Sequence, residues 1–393
     1  MKVLYIAPSP PNALGRIRTQ NILKTFKNLG YKTTLITLYC NKYDIEHMEE
    51  AKVYVDKVIG IEQKKRNSYL NCLLGLFLPY PLRIAYCYNK KMKYCIQKEL
   101  YETNYDIVYI KRLRMAQYAP IVKERNVKLV IDITDSLTKY YDSLRKKKLG
   151  LAKLLAIEEY IKHKYYEKKI CKEHKIIVIC SEEDKKYLTE RTPEIDNHIY
   201  VMNNSIDVSI WKNHKIQVAE PGHRKKLVFF GLMDYTPNIL AIKYFIEIVF
   251  PLLDKEYDLT IVGANITKEV YQYESERIHF TGFVQDISVE LKKYDIFVCP
   301  MNTGSGVKNK ILQASMVGLP IISTDLGVEG IAEEIHQAVF IANGSQDMVD
   351  KIRLVDEMQS EDLLKKLRYQ QEIIEKFNNN DHVLKDLLDR IGI

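Results

Sequence analysis

Short runs of β-branched and apolar residues alternate with longer helical patterns from one end of this chain to the other, and that rhythm constrains the fold more than any other feature. Strands separated by helices cannot pair as hairpins; they build parallel sheets through helical crossovers, so the class is α/β. In the first half the runs predict strands over residues 3–7, 34–38, 53–61, 107–110, 129–133 and 176–180. The rhythm restarts after a polar stretch, with strands expected at 227–231, 259–263, 278–281, 296–300 and 321–323 and a weaker one at 339–341.

The interrupting stretch, residues 217–226, carries a Pro-Gly turn signal ahead of a fresh strand, which places a domain boundary near 222. A chain of 393 residues is also longer than one ordinary core of about 100–200 residues. Domains are therefore expected over 1–222 and 223–375, followed by a polar helical tail, 376–393. No short-period repeat is visible, which excludes solenoids and propellers.

Charge divides at the same boundary. Residues 1–222 hold 40 Lys/Arg against 25 Asp/Glu, a net of +15, while 223–393 hold 19 against 26, a net of −7. Much of the excess lies in 139–175, where twelve basic and five acidic residues are interleaved with Leu149, Leu151, Leu154, Leu155, Ile157 and Ile161. This basic amphipathic pattern fits either a solvated helix face or a surface that docks on anionic lipid. The most apolar window, 70–87, is broken by Asn71, Pro79, Pro81 and Arg83 and does not read as a spanning helix.

Seven cysteines without CxxC spacing, mostly inside apolar runs, read as buried free thiols of a reducing compartment. The first residues are too briefly apolar for a signal peptide, so a cytoplasmic location is expected. Nine scattered histidines form no metal-binding or catalytic pair, and no motif that enters a nucleic-acid groove is recognisable.

The strongest constellation is the stretch 300–320, PMNTGSGVKNKILQASMVGLP. A strand ends at Pro300, a glycine-containing loop follows, and a helix is expected from near Gly306 to Gly318. Free backbone N–H groups and the positive end of a helix dipole then suit an anion such as a phosphate. Lys308 and Lys310 lie in the first turn, where cations oppose the dipole, which points them at a ligand; the alternative is an ordinary turn with two solvated lysines.

This segment, with Ile321 to Gly330 after it, closely resembles the donor site of the group 1 glycosyltransferases, family 4, which have the GT-B fold. Other segments of this chain are similar to the family in the expected order: Phe229 to Asn238, Val262-Gly263, Thr281 to Phe283, Tyr294 to Pro300, the Asn204 to Asp207 box with Trp211 after it, and Pro10 to Thr19. The resemblance implies two Rossmann-like domains with parallel sheets facing an interdomain cleft, and a last helix that crosses back to the first domain. It further implies transfer of a sugar from a nucleotide-sugar to a saccharide or lipid-linked acceptor at the inner membrane face, with retention of configuration, no metal and no cofactor. The lack of an Asp-x-Asp pair agrees with the last point. Donor binding falls to Gly231, Asn238, Gly304, Ser305, Gly306, Lys308, Asn309, Lys310 and Gln313.

Two departures stand out. Where the family carries two glutamates separated by seven residues, this chain has Ser305 and Gln313; the amide of Gln313 can still hydrogen-bond ribose hydroxyls, without charge assistance. No basic residue occurs between Gly231 and Ala241, where the family has its diphosphate-clamping Arg and Lys, so Lys308 and Lys310 are the replacements, with Lys310 in a catalytic role. In the first domain, Asp132 and Asp135 close a strand: Asp135 is the candidate to accept the acceptor hydroxyl's proton or orient the sugar, and Asp132 to line the cleft or cap the next helix. Gly15, Arg16 and Arg18 are placed at the cleft, the arginines either reaching phosphate or simply solvated. Rival readings are a nucleotide-sugar epimerase of the same architecture and a non-catalytic binding subunit that kept the fold.

Overall fold

The computed structural model describes residues 1–12, 16–123, 125, 127–211, 215–304 and 308–393. Met1–Met202 with Leu384–Ile393 forms one unit and Asn203–Val383 the other.

The first unit is built on β1 (Lys2–Ala7), β2 (Lys32–Tyr39), β3 (Lys57–Glu62), β4 (Ile107–Lys111), β5 (Lys128–Thr134), β6 (Ile177–Ile179) and β7 (Ile199–Val201). All pairings are parallel, in the order β3-β2-β1-β4-β5-β6-β7. Central strands are covered on both faces: all five residues of β4 are buried, as expected for a parallel sheet wrapped by helices. The winding reverses between β1 and β4, and such a switch opens a crevice outside the carboxyl ends of the two strands.

The second unit repeats the plan with β8 (Lys226–Phe230), β9 (Asp258–Val262), β10 (Ile278–Gly282), β11 (Ile296–Cys299), β12 (Ile321–Ser323) and β13 (Phe340–Ile341). Its order, β10-β9-β8-β11-β12-β13, reverses between β8 and β11.

Three expectations are corrected. The run at 53–61 enters the sheet only at Lys57, because Tyr54 and Val55 are buried in a turn ahead of it. Strand β7, three residues long, carries too little pattern to be foreseen and is defined by its pairing with β6. Residues 217–226 are no linker: the change of unit falls at Met202 and Asn203. Ile206 bridges Asn379, Trp211 joins the second core, and Arg224 is buried with Nη1 donating to the carbonyls of Val355, Asp356 and Met358 at 2.7–3.0 Å. That guanidinium satisfies the open carbonyl end of the helix Ser345–Glu357.

All seven cysteines are free thiols; Cys87, Cys171, Cys180 and Cys299 are buried, whereas Cys40 is exposed. The basic stretch of the first unit resolves into two helices, Leu137–Lys147 and Gly150–Glu173.

Candidate functional site

In the second unit the site grows from the switch point. The chain leaves β8 at Gly231, turns, and enters the helix Thr236–Tyr244; it leaves β11 at Cys299, passes Gly304, and enters the helix Asn309–Val317. That helix begins at Asn309, three residues later than expected, with Lys308 at its cap position and no side chain capping it. Gly318 ends it in the left-handed conformation, φ 84°. Both segments belong to strands adjacent across the reversal, so the topology brings positions 231–238 together with 304 and 308–310.

Contacts follow accordingly. Lys310 Nζ donates to Asn238 Oδ1 at 2.7 Å and lies 4.3 Å from the centre of the Phe229 ring. Asn238 is held by its own Nδ2, which donates to the Leu232 carbonyl at 2.8 Å. Burial pushes the Lys310 ammonium down to about 8; Cys299 opposes this shift and Lys308 adds to it. A Cβ on Gly231 would come within 2.7 Å of the Asn238 amide and 3.4 Å of Lys310 Nζ, and one on Gly263 would fall 1.8 Å from the Gly231 carbonyl oxygen. Two glycines therefore let the ends of β8 and β9 close up beneath the lysine. Gly304, at φ 109°, packs against Pro237.

Lys308 does not stand free. It is buried, and its Nζ pairs with Glu329 Oε2 at 3.4 Å, a partner the sequence reading missed. Glu329 directly follows the short helix Asp325–Val328 after β12, so a third strand end contributes. Gln313 is partly buried, one helical turn beyond Asn309. The buried oxygens Thr303 Oγ1 and Asn309 Oδ1 have no hydrogen-bond partner among the described residues, and buried polar atoms ordinarily find one. Ser305 and Gly306 lie outside the described residues.

In the first unit, Asp132 is fully buried at the end of β5 and surrounded by donors. Its Oδ2 accepts from Lys111 Nζ at 2.7 Å, Tyr109 Oη at 2.8 Å and Arg18 Nε at 3.3 Å, and its Oδ1 accepts from Thr134 Oγ1 at 2.9 Å. Its pKa lies well below the ordinary carboxylate range: burial opposes this, but Arg18 and Lys111 outweigh it. One carboxylate faces two cations, and Lys111 is the one able to release its proton; burial pushes it down to about 7, against the attraction of Asp132.

This corrects two expectations: Arg18 is neither solvated nor free for phosphate, and Asp132 does not cap the next helix. Ser136 does, accepting from the Lys139 N–H. Arg16 is likewise engaged, donating to Asp44 Oδ1 at 2.9 Å and the Pro10 carbonyl at 3.0 Å. Gly15 lies outside the described residues.

Asp135 differs from Asp132 in being partly exposed. It accepts from Arg112 Nη1 at 3.3 Å and from the Cys180 thiol at 3.0 Å. Arg112 and Thr134 both have positive φ, 74° and 70°, a conformation costing roughly 1–2 kcal/mol in side-chain-bearing residues. Backbone bonds hold them there: the Arg112 N–H donates to the Asp132 carbonyl at 2.7 Å and the Cys180 N–H to the Thr134 carbonyl at 2.8 Å. Strain at the carboxyl edge of a sheet is characteristic of sites. Asp135, Cys180 and Asp184 also bring ligand-type atoms within 4.8 Å of one another, but Asp184 already pairs with Lys139 Nζ at 2.9 Å and Asp135 with Arg112.

Comparison with known proteins fits this geometry. Residues 224–356 match the model of the family described as Glycosyl transferases group 1. A Klebsiella pneumoniae relative, described as an uncharacterized 44.6 kDa protein in the cps region, is 24% identical over 366 residues, covering 86% of this chain and 85% of its own. Among solved structures, Anabaena HepE in complex with UDP and glucose has a TM-score of 0.69 at 12% identity, covering 100% of this chain and 99% of that one. S. aureus TarM, in complex with fondaparinux, α-GlcNAc-glycerol and UDP, has a TM-score of 0.68 at 11% identity over 100% of both chains. Two doubly wound parallel sheets matched in this way are the GT-B architecture of glycosyltransferases. The chain thus carries a group 1 glycosyltransferase domain at residues 224–356, within a GT-B fold.

Proposed function

We propose that this enzyme moves a sugar from a nucleoside-diphosphate sugar to a saccharide or lipid-linked acceptor in surface polysaccharide synthesis, with retention of configuration, without a metal ion or cofactor, and at the inner face of the cell membrane. The observation that carries the donor half is Lys310: a cation at a helix N-terminus on the switch point, held by Asn238 over an aromatic ring. A departing diphosphate needs its charge neutralised, and preorganised cations with free backbone N–H groups do this in place of a metal. Gly231 and Gly304 give the diphosphate close approach to the backbone. Asn309 offers its buried oxygen as acceptor, and Gln313 takes the ribose hydroxyls. Asp135, partly exposed and steadied by Arg112, orients the acceptor hydroxyl or takes its proton.

The relatives support this reading. HepE is described with UDP and UDP-glucose, TarM with UDP and saccharides, and the Klebsiella relative is encoded in a cps region.

The test is incubation with a panel of nucleotide-sugars and saccharide acceptors, with and without chelator, followed by NMR of the product's anomeric centre. Chelator-resistant transfer with the donor's configuration kept is expected, together with loss of turnover in Asp135→Asn. Inversion, or activity abolished by chelation and restored by a divalent cation, overturns the corresponding half. Epimerisation of the donor without acceptor, or absence of both turnover and nucleotide binding, overturns the reading as a whole.

A further inference from the structure

The helix Gly150–Glu173 is turned inside out from its start to His163. Its buried stripe includes Glu159 and His163, while Leu149, Leu151, Leu154, Leu155 and Ile161 are exposed, Leu149 by 83%. A second element shows the same reversal. The helix Lys65–Gly75 buries Ser68 and Gly75, yet exposes Tyr69, Leu70, Leu73 and Leu74 and leads to Phe77, 87% exposed. Buried polar groups and large exposed apolar ones on one helix contradict the ordinary water-facing arrangement. They are the arrangement expected where the outer face meets an apolar medium.

The two reversed elements are joined. Lys162 Nζ donates to the carbonyls of Gly75 and Leu76 at 3.0 and 3.3 Å, the Leu82 N–H donates to Glu159 Oε1 at 3.0 Å, and the Tyr80 ring stands edge-on to Tyr166 at 6.1 Å. Position 162 lies about 10 Å along the helix from Leu155, so the loop bearing Phe77 and the leucines of the longer helix form neighbouring patches.

Charge decides what the surface meets. Segments 64–80 and 145–157 hold eight Lys or Arg residues and no Asp or Glu. Arg145 and Lys146 lean on Asp142, while Lys65, Arg66, Lys147, Lys148 and Lys153 are exposed. Protruding leucines and a phenylalanine, flanked by lysines whose stems can lie along apolar surface, suit a fluid boundary with anionic headgroups.

We infer that segments 64–80 and 145–157 together form one bilayer-docking surface of the first unit, with Phe77 and Leu149 to Leu155 entering the acyl boundary and the flanking lysines and Arg66 holding anionic lipid headgroups. No helix among the described residues is long and apolar enough to cross a membrane, so the surface lies on the bilayer. This deepens the membrane part of the proposed function. Because vesicle binding is read without nucleotide-sugar or acceptor, failure of one test leaves the other intact.

The experiment is co-sedimentation of the full chain with phosphatidylcholine vesicles and with vesicles carrying about 30% phosphatidylglycerol. Binding to the anionic vesicles at least tenfold stronger, and weakening with salt, is expected. Phe77→Glu/Leu154→Glu is expected to weaken it roughly a hundredfold, and Lys147→Gln/Lys148→Gln/Lys153→Gln more than tenfold, with circular-dichroism melts unchanged because all five side chains are exposed. Equal binding to both vesicle types, or undiminished binding by the Glu variant, overturns the inference. So does a wild-type dimer in light scattering that the Glu variant splits while neither protein sediments, which would assign the surface to a second copy of the chain.

Discussion

Lys310 donates to Asn238 at 2.7 Å across 72 residues of sequence. The contact joins the helix after β8 to the helix after β11 at the one place where the second sheet reverses its winding. The ammonium sits where burial lowers its pKa to about 8, and an anion entering the site would restore its proton.

A pH dependence follows. In the free enzyme Lys310 gives up its proton as pH rises through about 8, so affinity for a nucleoside diphosphate falls above that value. Stability moves the other way: the unfolded chain keeps this proton up to about 10.5, so the unligated fold gains stability between about 8 and 10.5. Calorimetric titration with UDP is expected to show binding weakened roughly a hundredfold in Lys310→Ala. In Lys310→Arg, which stays charged, the decline above pH 8 should disappear. Wild-type affinity that is flat from pH 7 to 9 would count against Lys310 as the phosphate cation.

Lys308 plays a different part, since Glu329 already occupies its ammonium. Lys308→Ala leaves that partly buried carboxylate without its cation, at a cost of about 1–3 kcal/mol. Turnover is expected to fall less than in Lys310→Ala, whereas the melting temperature falls more. Lys308→Met/Glu329→Gln should recover most of the lost stability; a double variant as unstable as the single one would place the loss elsewhere.

Asp132 is expected to be needed for the fold itself. Asp132→Asn strands Arg18 and Lys111 against a neutral amide, and breaking such a buried pair costs about 3–5 kcal/mol. Lys111→Met should be nearly neutral in urea unfolding at pH 7, because Arg18 still balances the carboxylate. The depressed Asp132 pKa fixes the sign in acid: its contribution is complete above the unfolded value of 3.8 and is lost as pH falls below it. Lys111, charged below about 7 in the fold and up to about 10.5 when unfolded, makes wild-type stability rise with pH between those values. Lys111→Met should lose the part of this rise that begins near 7 and keep only the part that Lys310 contributes above about 8.

The sheets were legible because parallel strands buried on both faces must be continuous apolar runs, and β7 escaped because three residues make no run. The helix after β11 was legible too, since a glycine-bearing turn into a helix is a local pattern. Long-range pairings were not: nothing near Arg18 announces an Asp132 that lies 114 residues away. Polarity misled at Arg224, whose segment reads as a linker although its guanidinium is spent on buried carbonyls. The surface proposed to dock on a bilayer was half visible in the basic stretch; its other half, the helix Lys65–Gly75, gave no sign of adjacency until Lys162 met its last carbonyls. One signal was overlooked. Glu159, His163 and Glu167 recur every four residues and mark a polar inward face on the long helix.

Gln313 offers the sharpest separation of the donor's two ends. It lies one turn beyond Asn309 on the helix whose N-terminus carries Lys310, so in the proposed binding mode a ligand held by its diphosphate at Lys310 would extend its ribose along the helix toward the amide. Neutral hydrogen bonds of this kind contribute about 0.5–1.5 kcal/mol each. Gln313→Ala is therefore expected to raise the Kd for UDP roughly tenfold while leaving the Kd for inorganic pyrophosphate unchanged. Gln313→Glu, which turns the contact into a charge-assisted one, should bind UDP more tightly than wild type. Lys310→Ala must show the complementary pattern and weaken UDP and pyrophosphate alike. If Gln313→Ala weakened pyrophosphate as much as UDP, the amide would be supporting the helix terminus, and the ribose would have to be placed elsewhere in the second unit.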